Sequence, residues 1–469
     1  MLFSSPAFFI FFSIYFCFHL IVPARHRILL IIVGSTIFYA WWKVEYTWLP
    51  YALMAVAYGG VRWMEQTVQQ ADRKRRAAAT VVVLFIPLLV FKYTDFVYRD
   101  VIGPLAGWRG SLLNLPLPLG VSFVTFTLTA FVVDSYTRRA WPCPRGSTVL
   151  GYVLFFPHLI AGPILRPNEL IPQLECPRPA TLRRFTVPFA IFTLGLVKKL
   201  VFADQIGGAV NLAYSDASAL TAPSALLAMY GFSAQIYCDF SGYSDMAIGL
   251  ALLLGVRLPK NFARPYTASS LIDFWRRWHI TLSFWLRDYL YVPLGGNRHG
   301  PRQEARNVLL TMTLGGLWHG ANWTFVVWGG LHGVGVICAH WVRRRFLAMA
   351  GTGVDGGWVR VAGIFVTFQV VTMLWVFFRA GSVSDAGRVL AAPIVGSWAG
   401  ASAYAAENVF VVVLLAVFFA THRFDDYRRV RVAVRYVRPE VLWPALGLLW
   451  TIAIAVSQGN SAKFLYFDF

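Results

Sequence analysis

The chain has 469 residues, 57% of them hydrophobic and only 14% charged, with a mean hydropathy of +0.57, a balance that excludes a soluble globular domain and marks an integral membrane protein. A formal charge of +20 invites a nucleic-acid reading. That reading fails, because the basic residues stand in short clusters beside long apolar runs, as cytoplasmic anchors do, and no soluble basic module carries them.

The N-terminal stretch MLFSSPAFFIFFSIYFCFHLIV has no positive n-region and no A-x-A-like site before its apolar run, so it reads as a retained first span. Further apolar runs lie near residues 28–42, 47–61, 78–91, 119–133, 148–165, 185–201, 225–256, 307–342, 361–378, 408–421 and 441–457. They predict an all-α polytopic bundle of roughly ten to thirteen membrane-embedded helices, some re-entrant. The runs at 225–256 and 307–342 are long enough to hold more than one element each. With no internal repeat and no linker, residues 1–469 read as one membrane domain.

Basic residues follow the first run at Arg25, His26 and Arg27, the third at Arg73 to Arg76, and the fifth at Arg138, Arg139 and Arg145. Basic loops that alternate in this way place the N-terminus outside and the Arg73 to Arg76 and Arg343 to Arg345 loops in the cytoplasm. Towards the C-terminus, Arg428, Arg431, Arg435 and Arg438 recur at helical spacing and would line a face resting on anionic headgroups.

Polar groups inside the apolar runs are the candidates for chemistry. FFPHLIAGPILRP, residues 155–167, predicts a bent or re-entrant element around His158. YCDFSGYSDMAIG, residues 237–249, buries Asp239 and Asp245; Asp239 and Tyr243 are i, i+4 neighbours able to share a hydrogen bond. The two aspartates face different sides of a helix with no histidine beside them, so they read as polar tunnel lining, not as metal ligands. The five cysteines form no C-x-x-C pair, and no metal site is expected.

The densest polar segment, LIDFWRRWHITLSFWLRDYLYVPLGGNRHG at 271–300, supports two readings. Aromatic bodies and guanidinium heads suit a helix lying at the interface; alternatively His279 faces inward to a cavity while Arg276 or Arg277 binds an anionic donor. NVLLTMTLGGLWHGANWTFVVWGGLHGVGVICAHWV, residues 307–342, is more specific: thirty-six residues without Asp, Glu, Lys or Arg, with three histidines and seven glycines. It is too long for one crossing and predicts a broken or paired element. Glycines flank His319, Asn322 and Thr324 add polar groups at the same depth, with Asn322 a candidate for binding the donor beside Arg276 and Arg277, and an ionisable ring inside a membrane is a functional candidate by default. A neutral imidazole there can carry a proton between a hydroxyl and a leaving group, as acyl transfer requires. His332, thirteen residues on, is about 220° round a continuous helix and reads as structural, as does His340 beside the arginine cluster.

Taken together, LPLPLGVSFVTFTLTAFVVDSYTR, FFPHLIAGPILR, YCDFSGYSDMAIG, FWRRWHITLSFWLRDYLYVPLGGNRHG, LTMTLGGLWHGANWTFVVWGGLHG, WVFFRA and the terminal FLYFDF resemble, in order and over nearly the whole chain, the membrane-bound O-acyltransferase superfamily. The likeness is to its branch serving bacterial alginate O-acetylation; Lys463 and Asp468 near the end depart from the pattern. The resemblance implies a bundle round a tunnel open to both faces of the inner membrane, with a donor arriving from the cytoplasm. It implies acetyl-CoA or another acetyl thioester as that donor, no resident cofactor, and periplasmic acetyltransferase partners working with polysaccharide synthesis and export machinery. His319 matches the family's proposed active-site histidine, and His279 is similar to a second important polar residue in relatives that carry D-alanine to teichoic acid. On the residues alone, a transporter or channel using a buried histidine as a proton relay stays open.

Overall fold

In the computed structural model, residues 1–107, 110, 112–137, 143–176, 185–349, 357–458 and 462–465 are described; Arg138, Arg139 and Asp468 lie outside them. The described residues form helices and, among them, no strand. Five helices, Gln70–Ala106, Thr186–Ser215, Trp323–Arg345, Gly357–Arg379 and Pro439–Ser457, are long and apolar enough to cross a membrane, or six if the bent pair Ala401–Glu407 and Val409–Phe424 is one span. The rest of the expected ten to thirteen embedded helices would have to come from shorter elements such as Pro6–Ile21 and Val121–Thr137.

The chain divides into two compact units, one of residues 1–192 and 244–259, the other of residues 193–243 and 260–469. In the first, the N-terminal helix Pro6–Ile21 begins where the Ser5 side chain accepts from Phe8 N–H and Pro6 sets the first turn. Its Phe8 packs with Phe38 of Arg27–Ala40 and with Phe156, ring centroids 6.0 and 6.3 Å apart, so the expected first span is anchored by aromatic contact. The 155–167 segment is bent as its prolines predict: helix Gly146–Leu154 stops, a single turn Phe156–Leu159 follows, and the chain then leaves helix. His158 Nε2 donates to Tyr152 O at 2.9 Å across this bend, and Tyr152 donates its hydroxyl to Leu165 O at 2.8 Å. His158 therefore serves the bend.

In the second unit, the 307–342 run is a broken pair, as its length and glycines predict. Helix Pro301–His319 ends at His319, and helix Trp323–Met349 starts after Asn322, whose Oδ1 accepts from Thr324 N–H at 3.0 Å as a cap. The two helices meet at glycine. A Cβ built on Gly316 would stand 2.3 Å from Phe325 O, and one on Gly329 would stand 2.4 Å from Met312 O, so no larger residue allows this approach. The 225–256 run, by contrast, is one uninterrupted helix, Ala222–Leu253. Near the C-terminus the arginine-rich helix Tyr427–Tyr436 has no buried residue, in keeping with a surface element.

Candidate active site

The helix break delivers His319 to the interior. It stands at the last position of its helix, 4% exposed, with Trp318, Trp328 and Phe378 around its ring at centroid distances of 5.0, 5.2 and 5.2 Å. Trp328 also touches His332 at 4.8 Å, so the turn at residues 320–322 brings both histidines to one tryptophan, which a continuous helix would not do. His332 Nδ1 accepts from Trp275 Nε1 at 3.3 Å and its ring lies parallel to Phe274, the environment of a packing residue.

His279 is fully buried, which removes the interfacial-helix reading for this part of the segment. The segment is not one helix: Leu271–Trp275 ends, His279 takes the left-handed conformation at φ 42°, and Ile280–Leu286 begins. A non-glycine residue in that region is strained and tends to mark a functional position. Its Nδ1 lies 3.1 Å from Asn261 Oδ1, and Phe240 meets its ring edge-on at 4.7 Å. The residue lies outside the candidate spans, and burial pushes its pKa down to about 3, so the ring is neutral.

From His279 to His319 the rings form a continuous chain through Phe262, Trp278, Trp375 and Trp328, each neighbour within 6.5 Å. The two sequence-predicted histidines thus stand at opposite ends of one aromatic chain, with four rings between them. Arg276 and Arg277 part company. Arg276 lines an apolar-walled cavity of about 360 Å³ with Trp275, Leu286, Met312 and Val336, whereas Arg277 is bound to Asp273 at 2.9 Å and Thr267 at 3.2 Å. Asn322 caps its helix and donates to Gly381 O at 3.1 Å.

Asp239 and Tyr243 sit on the same long helix, Tyr243 against Phe464 at 4.8 Å. Asp239 lines a second, polar cavity of about 540 Å³ with Gln235, Asn211 and Arg379. Its carboxylate pairs with Lys199 at 2.7 Å and accepts from Leu465 N–H at 2.8 Å; Asp204 pairs with the same lysine at 2.8 Å. That buried triad was missed in the sequence, where Lys199 reads as a cation at the end of an apolar run. Asn261 was missed as well. The only local hint is an asparagine amid PKNFARPY, and its partner lies eighteen residues on. Among the described residues no group of three or more His, Cys, Asp or Glu side chains could hold a metal ion.

Residues 27–378 match the family model of the MBOAT group, membrane-bound O-acyltransferases. The chain is 38% identical to a probable alginate O-acetylase of Azotobacter vinelandii over 405 residues, 85% of this chain and 79% of that protein. To the peptidoglycan O-acetyltransferase of Helicobacter pylori it is 34% identical over 428 residues, 83% of this chain and 79% of the relative. It is 28% identical to a teichoic acid D-alanyltransferase of Streptococcus thermophilus over 325 residues, 65% and 75% of the two chains.

Proposed function

We propose, for a chain that belongs to the membrane-bound O-acyltransferase family, that it moves acetyl groups from a cytoplasmic thioester to the hydroxyls of an exported, alginate-like polysaccharide. The observation that carries this reading is the pair of buried imidazoles, His319 and His279, joined by one aromatic chain. The acceptor oxygen attacks the thioester carbonyl carbon and the carbon–sulfur bond breaks. His319, as general base, takes the hydroxyl proton, and the departing thiolate receives it as thiol; His279 assists in that proton traffic. The aromatic walls keep water from competing for the acyl group.

The donor is acetyl-CoA or another acetyl thioester, and Arg276 offers its anionic part a guanidinium among the residues lining the 360 Å³ cavity, whose largely apolar wall suits an acyl-thioester arm. The polar cavity beside Asp239 suits a hydroxylated ligand. The names of the relatives, an alginate O-acetylase and a peptidoglycan O-acetyltransferase, support a polysaccharide as final acceptor. On the proposed reading the chain works in the bacterial inner membrane with periplasmic acetyltransferase partners and the polysaccharide synthesis and export machinery. Purified protein in lipid vesicles, given acetyl-CoA labelled in the acetyl group, tests the reading. Covalent transfer of label to a polymer or partner supports it; label that only crosses the membrane, unreacted, establishes a transporter instead.

A further inference from the structure

We infer that Asn261 is the positioning residue that holds His279 in the tautomer with its proton on Nδ1 and its lone pair on Nε2, ready to take a proton. This deepens the reading of His279 as a proton carrier and rests on it.

The orientation of the Asn261 amide follows from a donor that has no choice. Thr281 N–H can only donate, and it reaches Asn261 Oδ1 at 3.3 Å; Thr281 Oγ1 donates to the same atom at 2.9 Å. The atom facing this loop is therefore the amide oxygen, an acceptor. His279 Nδ1, 3.1 Å from that oxygen, must be the donor of its bond. In a neutral imidazole a proton on Nδ1 leaves Nε2 as the acceptor. Nε2 is wholly buried and has no hydrogen-bond partner among the described residues. A base that hands on protons needs such an atom.

The backbone supports the same atom. Asn261 O accepts from Ile280 N–H at 2.9 Å and Ala263 N–H donates to Arg277 O at 2.9 Å, so the 261–263 segment clamps both sides of the left-handed turn at His279. Strain at a φ of 42° is sustained because one asparagine holds residues 279, 280 and 281 together. Among the described residues no charged side chain takes part. The ring faces Phe240, Phe262 and Asn261, and burial alone accounts for the shift of its pKa. An uncharged amide fixes the tautomer while stabilising the imidazolium far less than a carboxylate would, so Nε2 returns its proton readily. A proton received at Nε2 leaves the Nδ1–H bond to Asn261 intact and departs from the same atom.

A residue that merely braced the loop would make the same contacts, so the test must read the ring itself. Full-length protein labelled with ¹⁵N-histidine in lipid nanodiscs, compared with His279→Asn to identify the signal, should show His279 with a protonated Nδ1 and an unprotonated Nε2. In Asn261→Leu the two forms should mix. Acetyl transfer from acetyl-CoA should fall by about 100-fold in kcat, the lower end of general acid–base contributions, with the donor KM little changed. Should Asn261→Leu fail to accumulate, Asn261→Asp carries the test, because a carboxylate keeps the acceptor oxygen and Asn261 Nδ2 has no partner to lose among the described residues. The new charge stabilises the imidazolium and raises the His279 pKa, so transfer should gain an acid limb at higher pH than the unaltered protein shows. A wild-type ring protonated on Nε2, or an Asn261→Asp protein with an unchanged pH profile, overturns the inference. Full activity in His279→Asn would instead remove His279 from catalysis, while the tautomer signal would still decide whether Asn261 sets the ring.

Discussion

Replacing Gly316 by Ala tests whether the broken helix pair holds the site. The added Cβ would stand 2.3 Å from Phe325 O and 2.9 Å from Gly329 Cα, where ordinary contact begins near 3.4 Å, so the helices must separate by roughly 1 Å. Neither obstacle is the movable end of a side chain. Overpacking of this kind costs about 1–3 kcal/mol, and it falls three residues before His319 and three before Trp328 meets it in the facing helix. Gly330→Ala is the matched control, because its Cβ would meet only Thr313 Oγ1 at 3.7 Å, an ordinary contact. That change should be neutral or stabilise by up to about 1 kcal/mol, since alanine is the better helix former. Thermal unfolding of both variants in the same detergent, with acetyl transfer measured beside it, gives the comparison. If Gly316→Ala unfolds at the same temperature as Gly330→Ala, the close approach does not hold the hairpin.

Lys199→Met should lower stability by about 3–5 kcal/mol, because it strands the buried carboxylates of Asp204 and Asp239; adding Asp204→Asn and Asp239→Asn should restore much of it, read as membrane abundance. Equal abundance of the single and triple variants would contradict the triad's role. Arg276→Gln should raise the apparent KM for acetyl-CoA about tenfold, the loss of one charge-assisted hydrogen bond, while Arg277→Gln, already spent on Asp273, should leave it nearly unchanged. The reverse order would move the donor to the other arginine. Cysteines engineered into residues 66–69, beside Arg73 to Arg76, should resist an impermeant thiol reagent in intact cells, and labelling there would invert the topology.

The sequence was most legible where local chemistry decides the structure. The length of the 307–342 run and the glycines around His319 announced a helix break, and the break is there, capped by Asn322. Three prolines announced the bend at His158. Legibility failed where a residue's role depends on distant partners. FWRRWHITLSFW has the texture of an interfacial helix, and only the pairing with residues 261–263 turns His279 inward, a long-range contact without local signature. Lys199 likewise gains its meaning from Asp239, forty residues on in the next helix. His319 and His332 were separated by helical arithmetic that assumed continuity, and the turn at 320–322 joined them at Trp328.

The central claim is that His319 handles the proton of acyl transfer, and the most direct measurement is polymer-bound acetyl against membrane protein level for His319→Ala and His332→Ala side by side. His319→Ala should lose acetylation at normal abundance, because removing the base leaves assembly intact. His332→Ala strands Trp275 Nε1 and opens the Phe274 stack, so it should lose abundance and acetylation together, at about 1–3 kcal/mol for the unpaired donor. Substantial acetylation by His319→Ala at wild-type abundance would contradict the account.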